Sequence, residues 1–467
     1  MPHYRSSCTS ILIGKKATID QSVIIGRNED AKTAWPKHLQ FNKRTDRGPS
    51  TFKSKDNKFT MSLPSTAFAY SATPEWTDKY GIFAEDGINE YNVAMSATES
   101  AYANERVLAC DPFNEKSGIL EEAMVSVVLP YVKTAREGVE RLGQIVAEHG
   151  AAEADGILFA DEDEAWYMEL GSGHHYVAIR IPDDSYAVVA NQLSIQEIDF
   201  SDPQNFIWSD GIQDFVYDNQ LWPKDQPFFF REIFGTRDDS DLTYNTPRVW
   251  DGQRLLTPSL QQEPQSFDLA FLQKPDRPLS AQDAQKVLSS HFNNTQYDLT
   301  NAKNEGHHAF RPIAVATTQE SHVLQVKKAP FSIHWLAMGV SAQSVYVPFY
   351  PGADKVPTAY RYGKETYAAN SAYWVFKQAG VLVDRDWQTY GALLGQTQQK
   401  CRIELNKLRR TYDQKLQGQA ADKLALYNEA NEKMAQLVLT EYRTLIAKLI
   451  TKQTGDSPLR FKMDPNL

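Results

Sequence analysis

Ser7-Cys8-Thr9-Ser10-Ile11-Leu12-Ile13-Gly14, followed after a polar stretch by Val23-Ile24-Ile25-Gly26-Arg27-Asn28-Glu29-Asp30, decides how this chain is read. The two runs are short, apolar and rich in β-branched residues. Residues 15–22 between them are mostly polar, so the spacing predicts a β-hairpin. With a turn centred near Ala17-Thr18, residues whose numbers sum to about 35 or 36 stand opposite each other. Cys8 is then opposite Arg27 or Asn28. A thiol, a guanidinium and the Asp30 carboxylate gather at one end of the hairpin. An electropositive neighbour lowers a thiol's pKa, and the thiolate is the reactive form. The residues alone leave a second reading open, since a lone cysteine is most often a buried, inert small hydrophobe.

At 467 residues, with 42% hydrophobic and 11% aromatic content, the chain has ample material for a large core. A net charge of -10 argues against nucleic acid or an anionic membrane as the main partner. The three cysteines, Cys8, Cys110 and Cys401, are far apart and odd in number. They make no disulfide framework and suit a reducing compartment, with Cys110 and Cys401 read as structural. Residues 1–7 lack the apolar stretch of a signal peptide, and no run approaches the ~20 apolar residues of a membrane span. A cytoplasmic protein is the simplest expectation. His174-His175 and His307-His308 are adjacent pairs, which do not present two imidazoles to one metal. No HExxH, CxxC or phosphate-loop pattern occurs, so neither metal nor organic cofactor is expected.

Outward from the hairpin, residues 8–30 and 66–98 read as strands with turns. Residues 36–62 are polar and read as a loop that borders a site. Apolar positions at helical spacing from Gly118 to Glu148 predict two helices separated at Pro130. Strands return over 156–160, 165–170, 176–181 and 186–190, with Pro182-Asp183-Asp184 as a turn. Residues 201–275 mix short helices with loops. A helix capped by Ser280, with Asp283 at its third position, comes next. Further strands are expected at 313–317, 323–326, 333–337 and 345–347. After about Asn370 the pattern is helical. Tyr427, Ala430, Met434, Leu437, Glu441, Leu445 and Leu449 form a stripe, and Gly418 breaks the region into a helical hairpin. That hairpin is read as packed on the core, and its stripe also allows a homo-oligomer. Strands and helices in separate runs with antiparallel-type turns indicate an α+β fold.

Four further blocks carry a resemblance: Gly87-Ile88-Asn89-Glu90-Tyr91-Asn92-Val93-Ala94-Met95-Ser96-Ala97-Thr98-Glu99-Ser100; Val189-Ala190-Asn191-Gln192 with Ile195-Gln196-Glu197-Ile198-Asp199; Tyr244-Asn245-Thr246-Pro247-Arg248-Val249-Trp250; and Ser344-Val345-Tyr346-Val347-Pro348-Phe349-Tyr350. With the hairpin, in this order, they resemble the cysteine dipeptidases of lactic bacteria, within the N-terminal-nucleophile hydrolases. The resemblance implies a four-layer αββα sandwich of two antiparallel sheets with a helical C-terminal extension. It implies a propeptide, residues 1–7, removed by the chain itself; a hydrolase domain, 8–369; and a helical region, 370–467, packed on the core. The substrate would be a dipeptide or other short peptide. The hairpin departs from the resemblance at Gln21, where the family's turn carries glycine; a glycine there serves positive φ, so Gln21 suggests a different turn.

The chemistry follows from a cut before Cys8. The freed α-amine, with a pKa near ~7.7–8.0, is a base on the same residue as the thiol. By the resemblance, Cys8 attacks a carbonyl to form an acyl-enzyme that water releases, Arg27 favours the thiolate, and Asp30 holds the amine. Asn191, at a strand end, is placed to donate to the developing oxyanion, and Arg248 completes the charged surround. Without the resemblance, Arg27 and Asp30 read equally as a surface ion pair, Asn191 as a turn residue and Arg248 as a solvated arginine. By the resemblance, Glu99 stands at the place of an oxyanion-donating Asn or Tyr in amide-cleaving relatives. An ionised carboxylate cannot donate, but it can bind the ammonium of a dipeptide; a carboxylate facing water is the alternative. Two other functions stay open: an amidase for other small acyl amides, as in bile-salt and penicillin relatives, and a catalytically silent interaction protein resembling the secernins.

Overall fold

The computed structural model describes residues 8–467 except 302, 305, 329–330, 419–421, 460, 462, 464–465 and 467, and except the side chains of residues 98 and 99. Residues 1–7, read above as a removable leader, lie outside the described residues.

The hairpin forms: β1 is Thr9–Ile13 and β2 is Val23–Asp30. Its register differs by about one place from the expected one. Thr9 faces Asn28 and Ser10 faces Arg27, which brings Cys8 level with Glu29 when the pairing is continued. The cause lies in the connection, where Lys15–Ala17 coil into a 3-10 turn and Gln21 itself takes the left-handed conformation at φ 58°. The side chain expected to change the turn thus adopts the backbone geometry a glycine would have served.

Two antiparallel sheets organise the rest. Their further strands are β3 (Asp86–Ile88), β4 (Ala94–Ser100), β5 (Asp155–Ala160), β6 (Ala165–Leu170), β7 (Tyr176–Ile181), β8 (Tyr186–Val189), β9 (Phe206–Trp208), β10 (Leu272–Gln273), β11 (Thr318–Val326), β12 (Ile333–Met338) and β13 (Val347–Phe349). One sheet has seven strands in the order β10-β8-β1-β2-β11-β12-β13; the other has six in the order β9-β7-β6-β5-β4-β3. Alternation along each strand decides which side chains meet between them. Leu12, Val23, Ile25, Val189 and Leu324 from the first sheet join Leu158, Tyr167, Val177 and Ile179 from the second in one buried cluster. The outer face of the six-stranded sheet (Met95, Ile157, Phe159, Trp166, Met168) packs on helices α1 (Glu121–Val128) and α2 (Ala135–His149). These are the two helices expected on either side of Pro130.

The outer face of the seven-stranded sheet (Ile11, Ile13, Ile24, Val323, Trp335) shares a core with the C-terminal helices. After α3 (Thr246–Leu256) and α4 (Ala281–Leu288), these are α5 (Ala372–Asp384), α6 (Trp387–Gln417) and α7 (Lys423–Gln453). Gly418 caps α6, as the break in the pattern predicted. Ala430, Met434, Leu445 and Leu449 of the stripe are buried in this core. Polar pins fix the dock: Asn431 accepts from the Tyr350 amide at 2.8 Å, and the Tyr350 hydroxyl donates to Asp413 at 2.6 Å. The capping box at Ser280 and Asp283 is present.

Two expectations fail. Residues 36–62 are not all loop, since Gln40–Asn42, Thr45–Asp46, Ser50–Lys53 and Thr60–Leu63 pair in small sheets. Their largely exposed faces explain the polar composition. Residues 313–317 form no strand, and β11 starts at Thr318. The Ile313 carbonyl instead accepts from the side chains of Asn28 and Arg311, at 3.2 Å each. Gly87 on β3 shows how tightly this region is built. A Cβ there would lie 1.8 Å from the Ser71 carbonyl oxygen. Gly87→Ala is therefore expected to destabilise the protein by roughly 3 kcal/mol, measured as a shift in the urea unfolding midpoint.

Candidate active site

Period-two alternation sets the site. Cys8 continues the face of β1 that carries Leu12, and Arg27 and Glu29 continue the face of β2 that carries Val23 and Ile25. All three therefore point between the sheets, and Cys8 and Arg27 are wholly buried. Arg27 Nη1 donates to Cys8 Sγ at 3.0 Å and to Glu29 Oε2 at 2.6 Å. The thiol lies 3.4 Å from that same carboxylate oxygen. Arg27 Nε donates to Ser96 Oγ at 3.2 Å, and Nη2 to Glu85 at 2.5 Å and to the Ala97 carbonyl at 2.7 Å. A β-bulge in β4 between Ala97 and Glu99 lies next to that carbonyl. Lys37 donates to the other oxygen of Glu85 at 2.6 Å. The guanidinium stays charged although burial opposes it, because the thiol, Glu29, Glu85 and Glu121 all favour its cationic form.

Glu29, Glu85, Glu121 and Lys37 were not singled out in the sequence. Glu29 was findable, because odd-numbered positions of β2 face the thiol. The others come from separate elements and carry no local signal. Burial pushes the Glu85 carboxyl up to about 7 and the Glu121 carboxyl up to about 8, with neighbouring carboxylates adding to it. An acid with a raised folded pKa holds a proton that the unfolded chain has already lost. Stability therefore falls as pH rises from the unfolded value, near ~4.5, to the folded one. Glu121→Gln removes that linkage and is expected to flatten the decline in melting temperature between pH 5 and pH 8, read by thermal scans across the range.

A second arginine approaches from α3. Arg248 is fully buried, and its Nη1 donates to the Cys8 carbonyl and, at 2.9 Å, to Thr9 Oγ1. Its Nη2 donates to Asn191 Oδ1 and Asn245 Oδ1, each at 2.7 Å. The solvated-arginine reading is excluded. Asn191 follows β8, the strand beside β1, and its Nδ2 donates to the Ser100 carbonyl at 2.8 Å. The loop after it is tied down by Glu169, whose carboxylate accepts from the amides of Ser194 and Ile195 at 2.6 and 3.1 Å.

Asp30 is buried but turns to the opposite face of β2, where its Oδ2 accepts from Arg311 Nη2 at 2.6 Å. The alternative reading, a surface pair of Arg27 with Asp30, does not hold: each is interior and each has other partners. Glu99 pairs through its backbone with Gly156; its side chain, and with it the ammonium reading, lies outside the described residues. Cys401 is buried and Cys110 exposed. Among the described residues no helix is long and apolar enough to cross a membrane.

A buried thiol held by a guanidinium, beside an inner strand of one of two packed antiparallel sheets, is an environment that favours a thiolate. With the comparisons below, the chain is a peptide hydrolase. The model of peptidase family C69 matches residues 7–400, and the chain belongs to that family. It is 43% identical to a probable dipeptidase of Latilactobacillus sakei over 99% of this chain and 98% of that protein. It is 36% identical to probable dipeptidase B of Lactococcus lactis subsp. lactis, over 98% of each. Dipeptidase A of Lactobacillus helveticus is 32% identical over 98% of this chain and 99% of that protein. Among solved structures, a variant of conjugated bile acid hydrolase from Clostridium perfringens aligns at 12% identity with a TM-score of 0.25, covering 71% of this chain and 89% of that one. A likeness at that score carries no argument.

Proposed function

We propose that the protein is a dipeptidase whose nucleophile is the thiol of Cys8, freed by self-cleavage of residues 1–7. The observation that carries this is Arg27 Nη1 at 3.0 Å from Cys8 Sγ in a fully buried setting. In the uncut chain the thiolate attacks the Ser7 carbonyl carbon. The nitrogen of Cys8 departs with a proton, and water hydrolyses the resulting thioester. The new α-amine then takes the thiol proton when a peptide carbonyl is attacked. That proton passes to the departing amine, and water releases the acyl group.

Arg27 favours the thiolate. Arg248 fixes the Cys8 main chain and orients Asn191, whose amide donates to the oxyanion. Asp30, at the end of β2, holds the new amine, which is a main-chain nitrogen and so is not confined to the face that carries the thiol. Glu99 binds the substrate ammonium. The reading includes a four-layer αββα sandwich over residues 8–369, with 370–467 as its helical extension, acting in the cytoplasm and able to form a homo-oligomer.

The test is turnover of dipeptides beside their N-acetyl forms, with the intact mass of the wild-type protein measured first. Loss of residues 1–7 and cleavage of the free-amine substrates are expected. A full-length mass with no turnover overturns the reading. Glu99→Gln is expected to raise KM for free-amine dipeptides by about tenfold and to change kcat less, in line with loss of one charged contact.

A further inference from the structure

Beside the thiol, but separate from it, lies a second buried polar group between the sheets. Asp86 of β3, Glu320 and His322 of β11 and His334 of β12 are all wholly buried. One donor atom of each of Asp86, Glu320 and His322 falls within 4.8 Å of the other two. His322 Nδ1 is 3.0 Å from Asp86 Oδ2 and 3.0 Å from Glu320 Oε1, and His334 Nε2 is 3.1 Å from the same Asp86 oxygen. The distances suit hydrogen bonds, but most of the directions do not. Among the described residues, Asp86 Oδ2, Glu320 Oε2 and His334 Nε2 have no hydrogen-bond partner of good direction. Three orphaned polar atoms in a dry interior cost about 1–3 kcal/mol each and call for an explanation.

The outer contacts are complete. His322 Nε2 meets Ser96 Oγ at 2.8 Å, and His334 Nδ1 meets Ser71 Oγ at 3.1 Å. The other oxygen of Asp86 accepts from Thr73 Oγ1 at 2.6 Å. Each imidazole thus has one nitrogen fixed by a serine and the other turned inward to the carboxylates. Metal-binding histidines are oriented in this way. Neighbouring donors about 3.0 Å apart are the edges of an octahedral ion with bonds of about 2.1 Å. One imidazole with two carboxylates suits a divalent first-row transition ion.

We propose that Asp86, Glu320 and His322 bind one divalent transition-metal ion, such as Mn²⁺ or Zn²⁺, that joins the two sheets, with His334 packed against Asp86 outside the coordination sphere. Asp86 belongs to the six-stranded sheet and the other two to the seven-stranded one, so the ion is a cross-link. It stands one hydroxyl from Arg27, because Ser96 Oγ also accepts from Arg27 Nε. No local motif announces it, since the ligands stand at 86, 320 and 322, and the motif reading expected no metal. The site is sealed, so an ion enters as the chain folds, and soaking the native protein with chelator is no test.

The experiment uses untagged full-length protein from medium supplemented with Mn²⁺ and Zn²⁺, purified without chelator, with metals measured by mass spectrometry. About one ion per chain is expected for a single structural site. The wild type is also unfolded in guanidinium and refolded with EDTA, Mn²⁺ or Zn²⁺. The melting temperature with one of the ions should exceed that with EDTA by more than about 5 °C. The paired variant Asp86→Asn/His322→Asn should lose the ion. If it does not fold, the refolding comparison decides. Less than about 0.1 ion per chain with equal melting temperatures overturns the proposal, and so does an ion retained by the folded paired variant.

Discussion

Cys8→Ala is expected to lose dipeptide turnover by about 10³-fold or more and to keep residues 1–7, while melting close to the wild type. The reasoning starts from what the side chain touches. Sγ has Arg27 Nη1 at 3.0 Å and Glu29 Oε2 at 3.4 Å, and neither contact holds the strand, which is bonded on both sides to β8 and β2. Truncating the thiol removes the proposed attacking atom and leaves the sheet. Intact mass and turnover, measured on one preparation, check it together. Loss of turnover with normal removal of the leader would assign the cut to another protease. Turnover near the wild-type level would exclude Cys8 as the nucleophile.

Arg27→Met is expected to be the most destabilising single change in the site, by about 3–5 kcal/mol, because it strips the partner from buried carboxylates. Glu29 loses its 2.6 Å bond and Glu85 its 2.5 Å bond. Lys37 still serves Glu85, so the loss falls mainly on Glu29 and the thiol. Arg27→Lys restores the charge but not the fork that reaches Ser96, Cys8, Glu29, Glu85 and the Ala97 carbonyl together. It should recover part of the stability and little of the activity. Urea unfolding gives the first quantity and kcat/KM the second. Equal stability of the wild type and Arg27→Met would show that the acids are protonated and need no cation.

The elements legible in the sequence were those whose signal is local. The hairpin over 8–30, the two helices around Pro130 and the helical hairpin around Gly418 each carry their pattern within one segment, and each is present. Cys8 and Arg27 were readable as neighbours because one turn joins their strands. The register was misjudged because a 3-10 turn consumes residues that an even count assigns to the ladder. Glu85, Glu121 and Lys37 were invisible because only sheet-on-sheet packing brings β3, α1 and the segment after β2 to one guanidinium. Asp30 lies at the strand end as expected, on the face of β2 away from Arg27. Counting by twos from Val23 would have separated it from Arg27. The 313–317 run shows the opposite error, where apolar residues are buried through carbonyls that serve side chains instead of a neighbouring strand.

The strand that follows Cys8 is an inner one, bordered by residues 186–189 and 23–30, and the Cys8 carbonyl is held by an arginine 240 positions further along. A ribosome must therefore deliver more than half the chain before the thiol's surroundings exist. The next inner strand, residues 318–326, comes later still. If Cys8 cuts its own leader, that cut reports on architecture: a truncated or misassembled copy lacks the tools to remove its leader and stays silent. Removal of the leader then serves the cell as a certificate of completed folding, issued before the enzyme can act on any other peptide.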